Sequence, residues 1–169
     1  MAKIIFVLGG ARSGKSAFAV EIAKNYKRVA YIATAQALDD EMAERIRIHK
    51  ASRPNGWQVI ESPLDADGVI KDLDGKVDFV LFDCITLYLT NLISREEVDI
   101  FKKVENLCKA CRETSADVVI VSNEVGLGIV PENTLSRRFR DLAGKANQII
   151  AKEADEVYFL VAGIAQKIK

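Results

Sequence analysis

The chain has 169 residues, 49% of them hydrophobic, and its 24 Lys plus Arg are balanced by 24 Asp plus Glu. That is the length of one domain, residues 1–169, with a sizeable core; the even charge excludes the basic footprint of a nucleic-acid binder and the polybasic arm of a membrane-surface protein. No apolar run approaches the ~20 residues needed to cross a bilayer, so an unprocessed, soluble, cytoplasmic protein acting on small molecules is expected, without stable membrane insertion. Cys84, Cys108 and Cys111 are an odd number of cysteines. They fit reduced thiols, and no further Cys or His lies near the Cys108–Cys111 pair to complete a metal site.

Lys3–Leu8 is a short apolar run suited to a buried parallel strand, and Ser13–Tyr26 carries helical periodicity. Between them Gly9-Gly10-Ala11-Arg12-Ser13-Gly14-Lys15-Ser16 fits the pattern G-x-x-x-x-G-K-[ST]. In such a phosphate-binding loop backbone N–H groups surround the phosphates, glycines allow the dihedrals, lysine supplies a point charge and serine a Mg²⁺ ligand. Strand, loop and helix follow in the required order, so a nucleoside triphosphate is the expected ligand. Arg28–Thr34 reads as a second strand whose polar exit, Thr34-Ala35-Gln36, would lie beside the loop in a parallel sheet. A helix capped by Asp runs from Leu38–Glu41 to about Ala51, before Pro54. Gly56–Glu61 is a short strand ending in an acid, and Leu64–Leu73 a helix.

Val77–Asp83 is an apolar strand ending in a carboxylate, where a phosphate-loop enzyme keeps a second Mg²⁺ ligand; Ser16 and Asp83 are the metal candidates. Helices over Ile85–Ile93 and Arg95–Thr114 precede a buried strand, Asp117–Ser122. The loop Asn123–Pro131 is either a sensor of the γ-phosphate or substrate, or a plain connection. A helix over Thr134–Ala154 carries Arg137, Arg138 and Arg140, which are either a solvated face or a reach toward phosphate. Glu156–Ala162 then closes the sheet. Alternating strands and helices predict an α/β fold with a mainly parallel sheet covered by helices on both faces.

His49 is the single histidine, with Arg45 one turn earlier and Lys50 and Arg53 close by. Attack on phosphorus needs a neutral, oriented imidazole, and neighbouring cations favour the neutral ring and offset phosphate charge. A phosphoramidate intermediate suits this placement; a solvated surface histidine is the other reading.

Several stretches carry a resemblance to a known family: Gly9–Ser16, Tyr31-Ile-Ala-Thr-Ala35, Asp40-Glu-Met42 with Arg45-Ile46 and His49, Arg53-Pro54 before Trp57, Asp83-Cys-Ile-Thr86 with Leu89–Leu92, Asn123–Gly126 with Gly128–Pro131, and Phe139-Arg-Asp141 with Gly144 and Asn147-Gln148. In this order, over nearly the whole chain, they resemble the bifunctional adenosylcobinamide kinase and adenosylcobinamide-phosphate guanylyltransferase family of cobalamin synthesis. The resemblance implies a P-loop NTPase-like fold similar to the recombination-ATPase core, a homotrimer, and Mg²⁺ without a tightly bound organic cofactor. It implies phosphorylation of adenosylcobinamide by ATP or GTP, then GMP transfer from GTP through a guanylylated His49. Besides the catalytic His49 and Lys15, it places the nucleotide at Gly9–Ser16, Ala33, Thr34, Ala35, Lys50, Ala51, Ser52, Arg53, Glu61 and Asp83. Guanine reading falls to Glu61, or else Glu124. One departure, Gly163-Ile-Ala-Gln166 where relatives carry Gly-x-Pro, leaves the tail conformation open and the chemistry untouched.

Two further classes bear on the reading. A small-molecule kinase without guanylyltransferase activity would need the loop and Asp83 but not His49. A regulatory GTPase would need an Asn-Lys-x-Asp motif, which the chain lacks.

Overall fold

The computed structural model describes residues 2–51, 53–95 and 99–169, with Arg45 described in its backbone alone. Seven strands form one sheet: β1 (Ile4–Gly9), β2 (Val29–Ala33), β3 (Gln58–Glu61), β4 (Phe79–Asp83), β5 (Asp117–Asn123), β6 (Glu156–Val161) and β7 (Ile164–Lys167), in the order β3-β2-β4-β5-β1-β6-β7. All pairings are parallel except β6 with β7. β1 and β2 are buried along their whole length, as continuous apolar strands covered on two faces should be.

The two-residue repeat of a strand sorts this core into two layers. Ile4, Phe6, Ala30, Ile32, Val80, Phe82, Val118 and Ile120 face one cluster, which includes α3 (Ala66–Asp72), α4 (Ile85–Ser94), α5 (Ile100–Glu113) and α6 (Thr134–Glu153). Ile5, Val7, Tyr31, Phe79, Leu81, Val119 and Val121 face the other, which packs on α1 (Lys15–Ala23). α2 (Asp40–Ala51) is mostly exposed, and the Asp39 side chain caps it by accepting from the Met42 N–H at 2.7 Å.

The expected elements are all present with shifted ends. The helix expected over 95–114 is α5 from Ile100, with residues 96–98 outside the described ones. Two expectations need correction. β4 and β5 lie between β2 and β1, so the exit of β2 is not the phosphate loop's neighbour; strand order is a long-range property that local pattern does not encode. Nor does β6 close the sheet. Val161 and Ile164 pair across a two-residue turn, and β7 takes the edge. Both turn residues, Ala162 (φ 51) and Gly163 (φ 81), have the positive φ that such tight hairpins demand.

Candidate active site

The loop after β1 is held by close backbone packing. A Cβ on Gly9 would lie 2.6 Å from both the Leu160 carbonyl oxygen and Ser13 Oγ, and Gly14 has φ 94 with Gly163 Cα 3.1 Å from where its Cβ would be. A side chain at Gly9 would collide with the Leu160 carbonyl, and one at Gly14 would be strained by the positive φ. The hairpin turn supports it as well, since the Gly163 N–H donates to the Ser13 carbonyl at 2.9 Å. The departure at 163–166 therefore adjoins the loop, a contact hidden in the sequence by a separation of 150 positions.

Inside this frame Lys15 is buried, and its Nζ donates to the Gly10 carbonyl at 2.6 Å. Burial lowers its pKa from the ordinary lysine value, opposed by Cys84 and Asp83. Ser16 Oγ donates to Asp83 Oδ2 at 2.9 Å, and the Tyr31 hydroxyl donates to the same oxygen at 2.7 Å. Strand parity brings this about: Tyr31 pairs with Leu81 and Ala33 with Asp83, so residues 31 and 83 face the α1 side. Burial, then the Asp83 charge, raises the Tyr31 pKa far above its ordinary value, so the hydroxyl remains a donor. Ser16 and Asp83 are hard oxygen donors in contact, and among the described residues no cluster of three His, Cys, Asp or Glu could hold a metal by itself. One hydroxyl and one carboxylate beside a phosphate loop are a donor set that fits Mg²⁺, whose remaining ligands would have to come from phosphate and water.

A cleft of ≈310 Å³ opens between α1 and the end of α2, lined by Ser16, Val20, Glu21, Tyr31, His49 and Arg53 among others. The lone histidine of α2 thus shares a cavity with the phosphate loop. Arg53 lies across the Tyr31 ring, its guanidinium carbon 3.7 Å from the ring centroid. Its Nε and Nη1 are buried without a hydrogen-bond partner among the described residues. A buried donor left unsatisfied is costly, and an anion in the cleft would answer it.

The remaining candidates divide. Lys50 donates to Glu61 Oε1 at 2.6 Å, joining α2 to the edge strand β3; that contact lowers the Glu61 pKa, and both side chains stay exposed. Ala51 is exposed, Ala33 buried and Ala35 half-buried at the β2 exit, and Ser52 lies outside the described residues. Thr34 is fully buried; its hydroxyl accepts from the Cys84 N–H at 2.8 Å and donates to the Cys84 carbonyl at 2.9 Å, beside the cis Asp83–Cys84 bond. Asn91 donates to the Thr34 carbonyl at 2.8 Å, so the side chain of Thr34 positions the Asp83 turn rather than facing the cleft.

The loop 123–131 adjoins the phosphate end, where the Glu124 N–H donates to the Gly9 carbonyl at 3.0 Å, while the Glu124 carboxylate accepts from the Gly126 N–H. Arg137 donates to the Pro131 and Glu132 carbonyls and Arg140 pairs with Asp141. These arginines hold the loop and the helix surface. Cys84, Cys108 and Cys111 are buried free thiols whose pKa burial pushes up, to about 12 for Cys84 and Cys108, as inert core cysteines require. Among the site residues, sequence reasoning missed Tyr31. Its tie to Asp83 depends on β2 lying next to β4, which its position in the chain does not announce.

Fold and site together define a nucleotide-binding protein of the phosphate-loop class. The fold resembles the RadB recombinase (TM-score 0.56, 13% identity, 93% of this chain and 73% of that one) and a type III secretion ATPase (TM-score 0.55, 12% identity, 95% and 52%). The model of the family "Cobinamide kinase / cobinamide phosphate guanyltransferase" matches residues 5–168, and the chain belongs to that family. It is 44% identical to the "Bifunctional adenosylcobalamin biosynthesis protein CobU" of Salmonella typhimurium and 42% to that of Escherichia coli, each over 98% of this chain and 99% of the relative. It is also 42% identical to the protein CobP of the same description from Pseudomonas aeruginosa, over 96% and 95%.

Proposed function

We propose that one phosphate cradle serves two reactions: phosphorylation of the adenosylcobinamide hydroxyl by ATP or GTP, and GMP transfer from GTP to the resulting phosphate through His49. The observation that carries this reading is the single cleft lined by Ser16, His49 and Arg53. Family membership supplies the substrate class.

In guanylyl transfer an imidazole nitrogen of His49 attacks the α-phosphorus. A P–N bond forms, the bond from that phosphorus to the bridging oxygen breaks, and pyrophosphate leaves. Lys15, Ser13 and the loop N–H groups receive the departing charge, while Arg53 offsets charge at the phosphorus under attack. An oxygen of the cobinamide phosphate then attacks the same phosphorus, the P–N bond breaks, and His49 is regenerated. Two modest substitutions replace one difficult one. In the kinase reaction the loop presents the γ-phosphoryl group to the cobinamide hydroxyl and His49 takes no part. Mg²⁺, when bound at Ser16 and Asp83, neutralises phosphate charge in both.

Glu61 is the better candidate for reading guanine: it pairs with Lys50, the neighbour of His49 on α2, whereas the Glu124 backbone adjoins the phosphate loop at Gly9. A cytoplasmic location fits the three free thiols. The homotrimer implied by the resemblance fits the exposed Leu127, Ile129 and Val130 on the loop after β5; sedimentation at the monomer mass would remove that part.

The test separates the two activities. Lys15→Ala is expected to lower both by at least ~100-fold, the scale of losing a main phosphate-stabilising group, whereas His49→Ala abolishes guanylyl transfer and leaves the kinase measurable. Equal loss of both in a folded His49→Ala protein would contradict the division of roles. Retention of guanylyl transfer in that protein would favour a different nucleophile.

A further inference from the structure

Tyr31 stands at a junction that the two reactions do not by themselves explain. Its hydroxyl is fixed on Asp83, the carboxylate that also receives Ser16. Its ring is the surface on which Arg53 lies, at 3.7 Å. Tyr31 is almost fully buried, and β2 holds its backbone between β3 and β4. Arg53, by contrast, follows the end of α2 and precedes Pro54, which restricts the Arg53 backbone to extended conformations. The guanidinium therefore rests on a platform belonging to the sheet, while its own backbone lies just beyond the end of the mostly exposed α2. Nε and Nη1 are buried without a hydrogen-bond partner among the described residues, and the guanidinium is held from below by the Tyr31 ring and by a side-chain hydrogen bond with Tyr31.

We infer that Tyr31 is a positioning residue for guanylyl transfer: its ring aims the Arg53 guanidinium at the phosphate under attack by His49, and its hydroxyl keys that ring to Asp83. The inference rests on the reading of His49 as the nucleophile. It assigns the plane of the guanidinium, in addition to its charge, a part in choosing the α-phosphorus, and it ties the orienting group to the carboxylate beside the loop. A planar, delocalised cation on an aromatic face is a pairing that an ammonium cannot reproduce.

The experiment measures retention of α-label from GTP on His49, normalised to the kinase rate, together with equilibrium GTP binding in a chelator. Tyr31→Phe keeps the platform and is expected to retain labelling within about threefold. Tyr31→Leu removes it and is expected to lower the normalised labelling and the chelator affinity about tenfold, the range of a desolvated cation–π contact. In an Arg53→Ala background Tyr31→Leu should cost less than twofold more, because the group it aims is gone.

Full additivity of the two substitutions, or equal normalised labelling in Tyr31→Leu and wild type, would overturn the inference. Absence of label from wild type would instead overturn the guanylyl-transfer reading. Should Tyr31→Leu not fold, Arg53→Lys poses the question from the other partner: a tenfold loss is expected, and wild-type labelling would overturn the proposal.

Discussion

Glu156 opens β6 and accepts from Lys3 at 2.9 Å, Lys167 at 2.7 Å and the Tyr158 hydroxyl at 3.0 Å. Lys167 first, then Lys3, hold its carboxyl down at about 2, below the ordinary 4.5. Because the folded-state pKa is depressed, the stabilisation is fully present above the ordinary value and is lost as pH falls from about 4.5 toward about 2. Both lysine side chains are about half exposed, which limits each pair to about 1 kcal/mol or less. Glu156→Gln is therefore expected to melt about 2–4 °C below wild type near neutral pH. That gap should close in melting curves recorded toward pH ~2.5; a gap independent of pH would exclude the ionic triad as its source. Thr34 carries a different lesson. Its type and its place at a strand exit suggest a ligand contact, yet both its hydrogen-bonding roles are spent on Cys84.

The C-terminal hairpin was the least legible element. Glu156–Ala162 reads as a strand, but β7 carries no long apolar run, and only its pairing with β6 makes it one. The turn holds Ala162 at φ 51, where an alanine costs roughly 1–2 kcal/mol relative to the right-handed region. Ala162→Gly is expected to raise the melting temperature by about 2 °C, glycine's extra unfolded-state entropy cancelling part of the relief. A lower melting temperature would show that the Ala162 methyl contributes more than its backbone conformation costs. The phosphate loop, Asp83 and the α2 cap were all legible because each is a local pattern of residue types. Strand order, the Tyr31–Asp83 bond and the Gly163–Ser13 contact join residues 52 to 150 positions apart, and no local pattern announces them.

In the molecule as a whole, the sheet order sets β1 and β4 two strands apart on one face, and α1 spans the interval so that Ser16 reaches Asp83. α2 is mostly exposed, and its last turn brings His49 to the cleft beside α1. The arrangement makes sense for a nucleophile that serves one of two reactions at a shared cradle. A kinase alone would need the cradle and Asp83, with no histidine beside them. The deciding measurement compares label retained by the denatured protein after incubation with α-labelled and with γ-labelled GTP, for wild type and His49→Ala. Retention of α-label alone, and only with His49 present, is the expected result; wild type that binds GTP but keeps no α-label would contradict guanylyl transfer through His49 and leave the kinase reading in its place.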